Sequence, residues 1–519
     1  MTDRFDVVVI GAGHNGLVCA TYLARAGRKV ACVEAREVPG GMAAPRTLAD
    51  RYRFPGLAHA AFPVNADIRR DLKLDQFGYS PGPELDTVSL DGDRGHVVLG
   101  ADSVSGEGIP DEDKLAYPRF QRDFREFAGA LRPLFGNPPP RLKDMSSREK
   151  ANLAKLGWSL RFGLGRESMY EFLRVAGSNM QDILDEVFVD ERLKGAMGAD
   201  AVLGSAMGPR TPGTVLTWLQ RLYGALNGRM TLHGHAQGSF TEALKRSAEA
   251  AGVSIRCGSR VERIVTDDGR ATGVSLSTGE TLEAPIVVSN LDPRATFLDL
   301  VGAPNLDAMF ANRVRQIRGS GTVGKLHLAL AGEPRLTGLD RSLLGNRLVL
   351  APSLKSVEQA FNHSKYGEFS ENPVLEITIP SLHESDLAPP GHHVMSVNVA
   401  YVPYRETGED DQYRNELAER TLSGLEYHAP GLRSLIVDQE FLTPRDVESE
   451  YGAVQGHWHH GELSMHQSFM MRPVYGSAQY ETPIENLFIC GAGCHPGGGL
   501  TGIPGKNAAR RVLEGVRKT

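Results

Sequence analysis

The chain is 519 residues long, 41% apolar and 23% charged, with a formal net charge of −6. That length exceeds what one ordinary core holds, so two interleaved domains are expected, and the mildly acidic balance excludes the basic surface of a nucleic-acid-binding protein. No apolar run reaches the ~18 residues of a membrane span, the charged opening MTDRFD leads straight into a strand without a leader peptide, and Cys19, Cys32, Cys257, Cys490 and Cys494 are few and scattered, so the reducing cytoplasm is the expected compartment.

Residues 7–10 form a continuous β-branched run of the kind buried in a parallel sheet. Gly11, Gly13 and Gly16 follow in the spacing G-x-G-x-x-G, where that strand turns into a helix. Gly11 permits the turn, Gly13 leaves the backbone open to a pyrophosphate, and Gly16 with Ala20 lets the helix lie close to the strand. The helix N-terminus, with Ala12 and Asn15 in the same loop, presents free N–H groups to phosphates. Leu17, Val18, Tyr22 and Leu23 supply the apolar side of the helix, and Gly27 ends it. The second strand, residues 30–33, delivers Glu34 and then Ala35; Glu34 lies 18 residues beyond Gly16, where a carboxylate accepts hydrogen bonds from the ribose of a dinucleotide.

Arg36 suggests a clamp for the 2′-phosphate of NADP, but Glu34 would repel that phosphate. Pro39, Gly40, Gly41 and Met42 add a second place for close backbone approach. Here the chain resembles the FAD-dependent phytoene desaturase and amine oxidase superfamily, in which a similar acid, short spacer and Gly-Gly pair approach the FAD phosphates. The resemblance implies an α/β fold, with a Rossmann-type FAD-binding domain interleaved with a substrate domain of mixed sheet and helices. It also favours FAD over a nicotinamide cofactor.

Residues 76–140, rich in Gly, Pro and Asp, read as loops around a few strands, and residues 147–227 as helices. Within the helical stretch, Leu153, Leu156, Trp158, Leu160, Phe162 and Leu164 stand among Lys150, Lys155, Arg161 and Arg166. Such a segment suits either peripheral contact with a membrane surface or packing on its own domain. From His233 a glycine loop, a helix and a strand return to the nucleotide domain, and the resemblance puts the Val261 backbone at the adenine end of FAD. Residues 271–276 and 281–288 read as a hairpin around Thr278 and Gly279. The expected FAD-binding domain is 1–75, 228–295 and 470–519; the substrate domain is 76–227 and 296–469.

In that second part, strands are expected at 325–331, 374–379 and 394–399, and a helix at 411–427. Gly319, Gly321 and Gly324 repeat the G-x-G-x-x-G spacing, but the run before them is too charged for a buried strand. The run after them alternates as a strand, and Leu326 stands where a phosphate loop needs Ser or Thr. In the amine oxidase branch a lysine starting a similar strand holds a water against flavin N5. Gly321 to Lys325 matches its G-x-V-x-K spacing, so the resemblance makes Lys325 the catalytic candidate, an ordinary solvent-facing lysine being the alternative. His457 and His459 would share one face of a strand beside His460, with no acid or cysteine at ligand spacing; structural or pocket histidines are expected, and no metal. Residues 456–472 resemble the superfamily branch that holds pyridine nucleotide-disulphide oxidoreductase domain protein 2, with retinol saturase and bacterial phytoene desaturases more distant.

The apolar run 487–490 leads into Gly491, Gly493, Gly497, Gly498, Gly499 and Gly502, followed by a helical stripe of Ala508, Ala509, Val512, Leu513 and Val516. This resembles the C-terminal flavin motif of the superfamily, whose loop passes the isoalloxazine. Cys490 and Cys494 read either as a redox pair or as small groups packed beside the ring. The expected activity is transfer of a hydride to FAD from a C–C or C–N bond of an apolar, carotenoid- or lipid-like substrate, with oxygen, a quinone or another acceptor reoxidising the flavin. The rivals are an amine oxidase releasing peroxide, with Tyr475, Tyr480, Trp458 and Phe469 as candidates for an aromatic cage, and an FAD-binding scaffold with little turnover.

Overall fold

The computed structural model describes residues 4–141, 143, 145–233, 239–408 and 411–516; the glycine loop expected at 234–238 lies outside them. A five-stranded, all-parallel sheet orders its strands Ser254–Arg256, Val30–Val33, Val7–Ile10, Ile286–Ser289 and Leu487–Ile489. The strands Val7–Ile10 and Val30–Val33 are wholly buried, as their continuous apolar runs require. Helices His14–Arg25, Phe240–Ala250 and Ile503–Val516 cover this sheet. The last lies close on the first, because a Cβ at Gly505 would stand 2.2 Å from Asn15 O.

The second large sheet has eight strands in the order Ile436–Leu442, Val323–Leu330, His393–Ala400, Leu375–Thr378, Arg347–Leu350, Thr87–Ser89, Val97–Leu99 and Val104–Gly106. Arg347–Leu350 pairs in parallel with Thr87–Ser89, and the other pairs are antiparallel, which makes the sheet mixed. Its two faces differ. Leu326, Leu328, Leu375, Ile377, Val397 and Val399 bury one face against Leu417, Leu422 and Leu425 of helix Asp411–His428. The alternate residues, Lys325, His327, Glu376, Ser396 and Asn398, are buried polar groups on the other face.

The structure corrects two expectations. Residues 76–140 hold, besides three short strands, the 20-residue helix Asp111–Ala130. Its buried Tyr117, Phe120, Phe124 and Phe127 recur at helical spacing behind an acidic first turn, and interior Pro118 disguises it. Residues 281–288 are not one hairpin arm: Thr281–Glu283 pairs with Arg270–Leu276, whereas Ile286–Ser289 turns away to pair with Val7–Ile10.

Candidate functional site

The two glycine motifs meet. Gly40 N–H donates to Ala12 O at 2.8 Å, Gly13 and Gly40 bridge in parallel, and a Cβ at Gly41 would stand 3.2 Å from Gly13 Cα. Gly40 has φ 116°, a conformation glycine adopts without strain. Helix His14–Arg25 has no side-chain cap and no acidic residue in its first turn, leaving its N-terminus suited to an anion. Glu34 is buried, one carboxylate oxygen accepting from Ala12 N at 2.8 Å and the other from Arg36 N at 3.0 Å, and each retains a lone pair for a ribose hydroxyl. Arg36 is already engaged: its guanidinium stacks over Tyr451 at 4.5 Å and donates to Gly41 O. Ser259 N–H donates to Glu34 O, which brings the strand beginning at Val261 beside the ribose acid. Ala35 is exposed at the rim.

The C-terminal loop joins the same cradle through Asn290. Its side chain lies against Gly11, Gly13 and Gly16, and its carbonyl oxygen would be 2.5 Å from a Cβ at Gly491. Gly493 is pressed against Pro293 and His460 O, and Gly502, at φ +71°, against Val18 and Ile68. Buried Arg472 ties the histidine-containing loop to the glycine loop, donating to Glu462 O at 2.8 Å, His459 O at 2.7 Å and Ala492 O at 2.9 Å. Open glycine backbone, an uncapped helix N-terminus and a ribose acid in one cradle fit the pyrophosphate and ribose of FAD.

Lys325 is 1% exposed, so it is not a solvent-facing strand lysine. Its ammonium donates to Leu57 O at 3.1 Å and Asn398 Oδ1 at 2.9 Å and lies 3.0 Å from His59 Nδ1. Leu57 N–H donates to Met42 O, so two peptide steps connect Lys325 to the Gly40-Gly41 turn. Burial pushes the Lys325 ammonium down to about 7 against the opposing pull of Glu376. Lys325, Trp458, His457 and Gly324 line a narrow cavity; a second cavity, reaching Tyr401 and Val357, shares with it Gly204, Thr322, Val323 and Asn398 as walls. Both are walled chiefly by apolar surface.

The flavin containing amine oxidoreductase family model matches residues 106–513, and a model of the NAD(P)-binding Rossmann-like domain matches residues 9–73. The chain belongs to the flavin containing amine oxidoreductase family. It is 31% identical to the rat (Rattus norvegicus) protein named pyridine nucleotide-disulfide oxidoreductase domain-containing protein 2, over 100% of this chain and 94% of that one. It is 25% identical to hydroxyneurosporene desaturase of Rhodobacter capsulatus, over 99% of this chain and 98% of the relative. Among solved structures, cyclohexylamine oxidase from Brevibacterium oxydans shares the fold with a TM-score of 0.58 at 15% identity, covering 99% of this chain and 100% of that one. As a member of this family the protein is an FAD-dependent oxidoreductase with FAD as its cofactor.

The remaining candidates sort clearly. His457, His459 and His460 do not share a strand face: the chain turns there, His457 N ε2 stands 3.8 Å from Glu462, and no group of three or more potential ligands among the described residues is arranged for a metal. The strand expectation failed because Gly456 and Gly461, both at positive φ, bracket the segment with turns. Cys490 and Cys494 are buried, and burial holds both thiols above their usual range, Cys494 at about 12, which suits packing rather than a reactive pair. Of the aromatic-cage candidates only Trp458 lines the cavity beside Lys325; Tyr475 is half exposed, and buried Tyr480 donates to His495 O. Sequence reasoning missed Asn290, Arg472, His59, Glu376 and Asn398. The polar members of otherwise apolar strands were a usable signal for Glu376 and Asn398, whereas His59 sits in an irregular segment with no pattern to mark it.

Proposed function

We propose that this oxidoreductase desaturates a C–C bond of an apolar, elongated substrate. The observation that carries the reading is the pair of narrow cavities sharing walls, chiefly apolar in surface, with Lys325 and Trp458 bordering one and Arg347 and Glu376 among the walls of the other. Bound FAD supplies the hydride acceptor. The chain's part is to hold the substrate in a dry, apolar slot, to keep water out with Trp458, Val323 and Tyr401, and to present Lys325 as a polar group at the reacting end. The desaturase among the relatives supports this direction, and only one aromatic-cage candidate lining the cavity argues against amine oxidation. The test is anaerobic mixing of the holoenzyme with polyenes and with amines: flavin bleaching by polyenes is expected, while bleaching by amines alone, followed by peroxide release once oxygen is admitted, would overturn the reading.

Contact with an anionic bilayer surface belongs to the same proposal as the source of such a substrate. Leu156, Leu160 and Leu164 pack toward the core, whereas Trp158 and Phe162, 67% and 59% exposed with rings 4.4 Å apart, face outward among exposed Lys150, Lys155, Arg161 and Arg166. Charge complementarity selects the anionic surface.

A further inference from the structure

Lys325 belongs to a buried polar cluster that extends well beyond the cavity it lines. Strand register sets Lys325 opposite Asn398, and Asn398 opposite Glu376, so the three side chains form one row across three strands. His59 covers that row from the irregular segment before Ala60: its Nδ1 is 3.0 Å from Lys325 Nζ and its Nε2 is 2.8 Å from Glu376 Oε1. The other Glu376 oxygen accepts from Arg347 at 2.8 Å; Arg347 also pairs with Asp200, which pairs with Arg221 at 3.0 Å. Helices Glu191–Val202 and Thr214–Ala225 thus contribute Asp200 and Arg221, and strand Val323–Leu330 contributes His327, linked to His59 only through Ser396.

The three hydrogens of a lysine ammonium are all accounted for by Leu57 O, Asn398 Oδ1 and His59 Nδ1. In that state Nδ1 accepts and Nε2–H donates to Glu376. If the proton between Lys325 and His59 moves across, the Nζ–H bond breaks and an Nδ1–H bond forms. The amine then accepts from the imidazolium, and every contact in the row survives.

We propose that Lys325, His59 and Glu376 form a proton relay at the cavity wall, in which one proton is exchanged between Lys325 Nζ and His59 Nδ1 while Glu376 balances the charge. His59 is a positioning residue: it lets Lys325 become a neutral amine without moving charge out of the cluster. Arg347, held by Asp200, keeps Glu376 ionised, and its carboxyl is held well below the usual range by Arg347 and His59 despite burial.

The relay is tested on the holoenzyme carrying 15N-labelled histidine, without a substrate. The His59 ring signals, identified by their loss in His59→Gln, should respond near neutral pH as the shared proton leaves. Lys325→Met should abolish that response and raise His59's own protonation midpoint by at least one pH unit, because the competing cation is gone. Glu376→Gln should lower the midpoint. His59 signals that titrate identically in the wild-type protein and in Lys325→Met would overturn the relay. Retained FAD absorbance in Lys325→Met certifies folding, so a failed fold cannot be mistaken for a failed relay.

Discussion

Gly204 shows how one missing carbon shapes the cavity. Its backbone is left-handed at φ +74°, and a Cβ there would fall 1.9 Å from Trp458 Nε1. Trp458 therefore reaches the cavity wall only across a glycine. Gly204→Ala should destabilise the protein by about 1–3 kcal/mol through overpacking and backbone strain. The denaturant midpoint should fall, and tryptophan emission, from 3 tryptophans in all, should shift as Trp458 is displaced. An unchanged midpoint and spectrum would mean the indole has room that the geometry denies. At this scale the sequence was readable where backbone geometry dictates residue type: Gly11, Gly13, Gly16, Gly40 and Gly41 were marked by spacing. Asn290 and Arg472 were not, because a side chain that fills a gap or ties two loops together leaves no period.

At the scale of elements, the segment 147–175 packs one apolar side on its own domain and exposes another, the proposed membrane contact. Helix Ser147–Trp158 has no buried residue, and the following turn to Gly163 keeps Leu160 inward and Phe162 outward. Further along, Tyr170 and Leu173 extend the exposed apolar strip. Flotation with vesicles containing phosphatidylserine should carry the protein upward, and the double variant Trp158→Ser, Phe162→Ser should lose at least tenfold in bound fraction. Equal flotation of the variant would exclude this strip as the contact. Strands were legible wherever alternation or a continuous β-branched run persisted, as in Val323–Leu330 and Val7–Ile10. Helix Asp111–Ala130 was hidden by an interior proline, and the split of residues 281–288 by a change of partner sheet that no local pattern records.

Across the whole molecule, buried neutral imidazoles set the acid limit. Burial lowers His460 and His495 from 6.5 to about 4, so between those values the folded protein leaves them uncharged while the unfolded chain protonates them. The unfolded state then binds more protons, and stability should fall as pH drops from about 6.5 toward 4. Melting temperatures across that window should decline, and the decline should be shallower in His495→Gln; a flat profile would mean these rings reach solvent when charged. The interleaving of domains was visible as motifs at both ends of the chain, but the cavity was not, since its walls come from strands and helices far apart in sequence.

The parallel sheet has one more consequence, for the order of events during synthesis. Val7–Ile10 leaves the ribosome first, yet its neighbour Ile286–Ser289 arrives more than half a chain later, and the edge strand Leu487–Ile489 and covering helix Ile503–Val516 come last. The fingerprint that recognises the cofactor is thus made early and completed only when the late strand and helix arrive. A nascent chain must leave one edge of Val7–Ile10 waiting, and the flavin can be locked in only after Ile503–Val516 has emerged.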